Sequence, residues 1–213
     1  MKQKIFSCLI LCLILSVFSS CAWGAISSDV VNAAWKRIAE ADGFEVVQIN
    51  YEKDDSPNAW VKFKSEKDFS VHVTQGLMKI LDTEEQIAGV LGHEIGHVRL
   101  GHYNKGVGRN VLWNIAGLGL SKIGGNAGKV AQAVGSVGMN LAESGFSRGQ
   151  EVEADDYGTE LLKKAGYDPY GLYRAMKAFQ DNNYVTSPSG FNSHPPTARR
   201  LKHLMDKAKS LKE

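Results

Sequence analysis

The chain has 213 residues, 43% of them hydrophobic and 23% charged, with 25 basic and 23 acidic side chains. That balance excludes a disordered chain and leaves room for one folded domain plus a targeting segment. With charge so nearly even and no basic stripe, nucleic acid is not the partner that composition points to.

The first twenty residues read as a signal peptide. Met1-Lys2-Gln3-Lys4 is a short basic start, and Ile5 to Phe18 is an uncharged apolar run of fourteen residues. Ser19 and Ser20 follow, then Cys21. The layout is that of an exported leader, and the run is too short for a membrane anchor, which needs about 20 apolar residues. Cys8 and Cys12 lie inside the run and leave with it, so Cys21 is the thiol that a processed chain keeps. An odd thiol in an exported protein calls for a purpose. Phe18-Ser19-Ser20-Cys21 resembles a bacterial lipobox, with Phe18 where Leu is usual, and the expected outcome is lipidation of Cys21. The competing outcome is ordinary cleavage after Ala22 or Gly24. Loss of residues 1–20 leaves 23 basic and 23 acidic side chains in a single domain, 21–213.

Val30, Ala34, Ile38 and Ala41 recur at helical spacing and predict a helix over 30–41. Phe44 to Tyr51 alternates like a strand, Asp54 to Asn58 is a turn cluster, and Ala59–Phe63 and Phe69–Val73 read as two more short strands. Next comes a helix from about Glu84 to Leu100. Asp82 or Thr83 serves as its N-cap, with Glu85 or Gln86 closing a capping box. Ten of the 22 glycines fall between Gly106 and Gly145, around an apolar stripe of Val130, Ala133, Val134, Val137 and Leu141. Two closely packed helices are the preferred reading there, and a surface that touches membrane or substrate is the other. Helices are predicted from Gln150 to Lys164, ended by Gly166, and from Pro169 to Phe179. A polar loop spans 181–196. A last helix carries Leu201, Leu204, Ala208 and Leu211.

The chemistry sits in His93-Glu94-Ile95-Gly96-His97. On a helix, positions i and i+4 share a face with Cβ atoms about 5–6 Å apart, so two imidazoles can reach one zinc ion. Glu94 falls on the flank, where it can take a proton from an activated water as general base. The motif lies on an apolar stripe beside Ile87, Val90 and Leu91, where an unpartnered Glu would be costly. Gly92 and Gly96, poor helix formers, fit a face against which something must pack. His102 lies five residues past His97, not the six of the longer zincin motif. If the helix continues, His102 points away and is a structural or cap residue. The third ligand is assigned to Glu151 in Glu151-Val152-Glu153-Ala154-Asp155. Glu151 and Asp155 share a helix face, so Glu151 can ligate while Asp155 accepts the free N–H of a ligating histidine. Glu153 and Asp156 are assigned to a solvated face.

At these residues the chain resembles the M48 family of zinc metallopeptidases, the gluzincins. Asp82–His102 is similar to the family's active-site helix, Phe146–Leu161 to its second ligand helix, and Ser193-His194-Pro195-Pro196-Thr197 with Arg200 to its C-terminal segment. The resemblance implies a zincin-like, mainly α fold with a small β-sheet (α+β). It also implies one Zn2+ per chain and endopeptidase action on unfolded or misassembled envelope proteins. The expected location is the periplasm, anchored to the outer membrane through Cys21, with envelope assembly machinery as a possible partner. His194 is expected to face the site, either stabilising the oxyanion or acting as a reversible fourth ligand. A strand near 69–75 is expected to bind peptide along its edge. The alternative function is a membrane-tethered zinc-binding chaperone or adaptor without turnover.

Overall fold

The computed structural model of the protein describes residues 25–103, 146–184 and 194–213. The leader with Cys21 and the glycine-rich stretch 104–145 lie outside them, so both readings of that stretch stand untouched. Described elements are α1 (Ser28–Asp42), β1 (Ile49–Glu52), β2 (Ala59–Ser65), β3 (Asp68–Thr74), α2 (Gln75–Ile80), α3 (Glu84–Arg99), α4 (Arg148–Lys164), α5 (Gly171–Asp181) and α6 (Ala198–Lys212). The class is mainly α with one small sheet, as expected. None of the described helices is long and apolar enough to cross a membrane.

Ser27 caps α1, and its buried stripe is Val31, Ala34, Trp35, Ile38 and Ala39. Ala34 and Ile38 are buried as expected, whereas Val30 and Ala41 are half-buried and Val31, Trp35 and Ala39 take the inner face, because Trp35, the largest apolar group, turns inward. Its ring meets Phe44 edge-on, and Phe44 in turn meets Phe69. Phe44 is thus part of the core but not of a strand, and β1 begins only at Ile49. The sheet runs β1-β3-β2, with β1 parallel and β2 antiparallel to β3. This corrects the expected peptide-binding edge. β3 is the middle strand and its backbone groups are engaged on both sides. Among the described residues the open edges belong to β1 and β2.

The central element is α3, buried all the way from Gln86 to His97. One side of it is apolar. Ile87, Val90, Leu91 and Ile95 pack in a single core with Trp35 and Ile38 of α1 and with Leu172, Met176 and Phe179 of α5. Each such side chain contributes about 1.5–3 kcal/mol by leaving water. The other side faces α4 at very short range. A Cβ on Gly158 of α4 would lie 2.8 Å from the His93 nitrogen and 3.1 Å from the Gly92 carbonyl carbon of α3. Only glycine lets the two backbones approach this closely. That approach brings the carboxylates of α4 up to the imidazoles of α3.

Candidate metal centre

Thr83 and Gln86 form the capping box that starts α3, with Gln86 also accepting from the Asp82 amide. α4 starts the same way, with Ser147 and Gln150. The Ser-x-x-Gln pattern was present in the sequence and places the start at Arg148, two residues before the expected one. Thr197 caps α6, which follows His194 at once. Three helix starts thus orient the segments that carry His93, Glu94 and His97, then Glu151 and Asp155, then His194 and Arg200.

These side chains meet. His93 Nε2 lies 3.0 Å from His97 Nε2 and 3.1 Å from His194 Nδ1. His194 Nδ1 is 3.0 Å from Glu151 Oε1. Glu151 oxygens lie 3.5 Å from His97 Nε2 and 3.8 Å from His93 Nε2. One donor atom from each of His93, His97, Glu151 and His194 falls within 4.8 Å of every other, and all four residues are buried. A tetrahedron of ligands about 2.0–2.1 Å from zinc has edges of roughly 3.3 Å, and the observed separations straddle that value. Three nitrogens and one carboxylate are also the donors zinc takes. The residues present therefore fit the ion.

Burial pushes the Glu151 carboxyl up, yet His194, His97 and His93 together hold it well below the usual carboxylate range. Burial pushes the His97 imidazole well down, favouring the neutral form that binds metal. Asp155 lies with Oδ1 3.0 Å from His93 Nδ1 in an oblique approach. Burial opposes its charge as well, but Arg200 and His93 hold it low. Arg200 donates from Nε and Nη2 to the two Asp155 oxygens at 2.8 and 2.7 Å. Its Nη1 lies 2.6 Å from Glu151 Oε2 and donates to the Pro195 carbonyl at 3.1 Å. One guanidinium thus fixes the Glu151 carboxylate, the carboxylate behind His93 and the segment bearing His194.

Glu94 is buried beside the cluster without belonging to it. Its Oε1 has no hydrogen-bond partner among the described residues and stands 3.5 Å from His194 Nε2. Burial pushes its carboxyl above the usual range, against the pull of His194 and His93. A buried carboxylate with one oxygen open towards a cation site is suited to exchange protons.

The sequence profile of peptidase family M48 matches residues 26–208. The chain belongs to peptidase family M48. It is similar to metalloprotease LoiP of Escherichia coli strain K12, 36% identical over 138 residues that are 64% of this chain and 54% of LoiP. It is also similar to metalloprotease YcaL of the same strain, 32% identical over 179 residues, 82% of this chain and 68% of YcaL. A third relative is the beta-barrel assembly-enhancing protease of Yersinia pestis, 27% identical over 67% of this chain and 31% of its own length. The chain spans about half of LoiP and about two thirds of YcaL.

Sequence reasoning brought His93, Glu94, His97, Glu151, Asp155 and His194 together, and the structure places all six at one point. His102 is not one of the four clustered donors, but its ring does not point away. The expectation that His102 points away required α3 to continue, but α3 ends at Arg99 and Gly101 adopts φ +67°. The left-handed turn brings His102 back until its Nδ1 lies 2.8 Å from His97 Nδ1. Glu153, assigned to solvent, reaches His102 Nε2 at 3.0 Å. Asp156 pairs with His203 and Lys207 near the surface. Two aromatic residues had no sequence signal. Phe146 stacks on the His97 ring at 3.8 Å between centroids. Tyr103 is half-buried with its hydroxyl 3.5 Å from Glu94 Oε2, and desolvation of that hydroxyl raises its pKa well above the usual phenol value.

Proposed function

We propose that the protein is a zinc-dependent endopeptidase that hydrolyses peptide bonds of unfolded or misassembled cell-envelope proteins. His93, His97 and Glu151 are the ligands. The observation that carries the reading is a four-donor cluster at tetrahedral spacing with Glu94 buried beside it as a carboxylate that takes no part in ligation. A zinc ion held there would supply a water of lowered pKa and a Lewis acid for a carbonyl oxygen. Glu94 accepts the proton of the attacking water and passes it to the leaving amine. Asp155 holds His93 by its second nitrogen, and Arg200 keeps Asp155 and Glu151 charged and aimed. A peptide binds as an added strand along the β2 edge, whose Val61 backbone comes close to Tyr103, the neighbour of Glu94.

His194 has a double part in this proposal. Its Nδ1 stands among the donors of His93, His97 and Glu151, where it would take the position that a hydrolytic site leaves open and restrain the enzyme until displaced. Once displaced, its imidazole remains near enough to stabilise the oxyanion. Export under the leader and lipidation of Cys21 would hold the domain in the periplasm at the outer membrane. The β-barrel assembly named for the Yersinia pestis relative supports an envelope setting.

Completion of the cluster by His194 also favours a second reading, a tethered zinc-binding chaperone or adaptor, because structural zinc sites have four protein ligands. Glu94 separates the two, since a structural site has no use for it. The test is casein digestion by wild type and Glu94→Gln, with zinc content measured in both. The enzyme reading expects equal zinc and a fall in rate of about 100-fold or more in the variant. Zinc-loaded wild type that cleaves nothing, or a variant as active as wild type, overturns it.

A further inference from the structure

Both imidazoles of the zinc-binding helix present Nε2 to the cluster, and each must be held by its other nitrogen. For His93 that group is Asp155, in direct but oblique contact. For His97 it is a second imidazole. We infer that His102 and Glu153 are positioning residues for His97, forming a chain from carboxylate through one histidine to the ligand histidine. The inference rests on the metal-centre reading above.

Hydrogen-bond direction carries it. If Nε2 of His97 gives its lone pair to a metal, its one proton sits on Nδ1. That N–H then donates to His102 Nδ1, 2.8 Å away. His102 must accept there, so its own proton sits on Nε2, where it donates to Glu153 Oε2 at 3.0 Å. Each tautomer fixes the next, and the end of the chain is an acceptor. His102 is fully buried, a position where an imidazole is tolerated only if its nitrogens are served. A residue that merely filled space there would be apolar. Gln150 of the α4 capping box reaches the His102 carbonyl at 3.5 Å. Gly101, where an added Cβ would meet nothing within 4 Å, is set by its φ of +67° and not by crowding. The left-handed turn ends α3, with the Gly101 N–H bonded to the Val98 carbonyl at 3.0 Å, and it delivers His102 to His97.

The two ligand histidines are therefore backed unequally. Asp155 is wholly buried, whereas the side chain of Glu153 is 57% exposed. Water can stand in for Glu153 only in part, and not at all for His102, which orders the expected effects.

The experiment measures zinc affinity of the full-length protein by competition with a chromophoric chelator, and records the visible absorption of the cobalt-substituted form. His102→Ala is expected to raise the zinc Kd about 10- to 100-fold and to shift the cobalt band. His102→Asn, whose Oδ1 can accept from His97 Nδ1, restores most of that affinity. Glu153→Ala weakens zinc by a smaller factor than His102→Ala, and Glu153→Gln, which keeps an acceptor oxygen, stays close to wild type. A folded His102→Ala protein with wild-type zinc affinity and cobalt spectrum overturns the inference. Should His102→Ala not fold, the Glu153 pair decides, and equal affinity for Ala and Gln overturns it. Wild type that binds no zinc removes the metal-centre reading itself, a result distinct from either.

Discussion

The two sides of α3 differ as much as two proteins might. Towards α1 and α5 the helix shows Ile87, Val90, Leu91 and Ile95 to an apolar core. Towards α4 it shows His93, Glu94 and His97 to a buried polar cluster containing Glu151, Asp155 and, from beyond, Arg200. Burying charges costs free energy even when they are paired. The apolar side offsets that cost, because both sides belong to one rigid element that cannot be satisfied on one and released on the other. The lesson is that the chemistry here is held by an element fixed from behind.

That contrast can be broken. The largest effects should come from a matched pair of truncations, one on each side. Arg200→Met leaves Asp155 and Glu151 as buried carboxylates without their cation, and should cost about 3–5 kcal/mol together with a marked loss of zinc affinity. Phe179→Ala, a fully buried ring on the apolar side, should cost a similar 3–5 kcal/mol yet leave the zinc affinity of the folded protein unchanged. Urea unfolding beside chelator competition reads both. If Phe179→Ala weakens zinc as much as Arg200→Met does, the two sides are not separable.

A smaller effect sharpens the boundary itself. Gly158→Ala inserts a methyl against the His93 backbone and should cost about 1–3 kcal/mol through overpacking. Because the added carbon pushes α4 from α3, zinc affinity should fall along with stability. The smallest effect is a pH dependence away from the metal. Burial and the Asp42 carboxylate beside it push the Tyr157 phenol up to about 12. The folded state thus keeps a proton that the unfolded chain gives up near pH 10, and the stability this adds is full below that pH and fades as pH rises through about 12. Tyr157→Phe should flatten that part of the alkaline limb in denaturant midpoints taken from pH 8 to 12, with no change near neutrality in the zinc Kd.

Much of this was legible in the sequence because it is local. Capping residues, the i and i+4 pairing of His93 with His97 and of Glu151 with Asp155, and the apolar stripes are all properties of one segment at a time. What escaped depended on where a segment stops. The direction of His102 turns on α3 ending at Arg99, which a constant 100° per residue does not foresee. The place of β3 in the middle of its sheet depends on strand order, which alternation within one strand does not encode. Trp35 turned inward because its size outweighed the regularity of Val30 and Ala41. The roles of Tyr103 and Phe146 required two ends of a long excursion to be known as neighbours.

Those two rings stand 5.4 Å apart, in edge-to-face contact. An edge-to-face pair of this kind adds about 0.5–1.5 kcal/mol beyond the area it buries. Phe146 also stacks on the His97 ring, and the Tyr103 hydroxyl reaches Glu94. The aromatic seam therefore touches two neighbours of the cluster at once, and a change in either ring is felt by both an imidazole and a carboxylate.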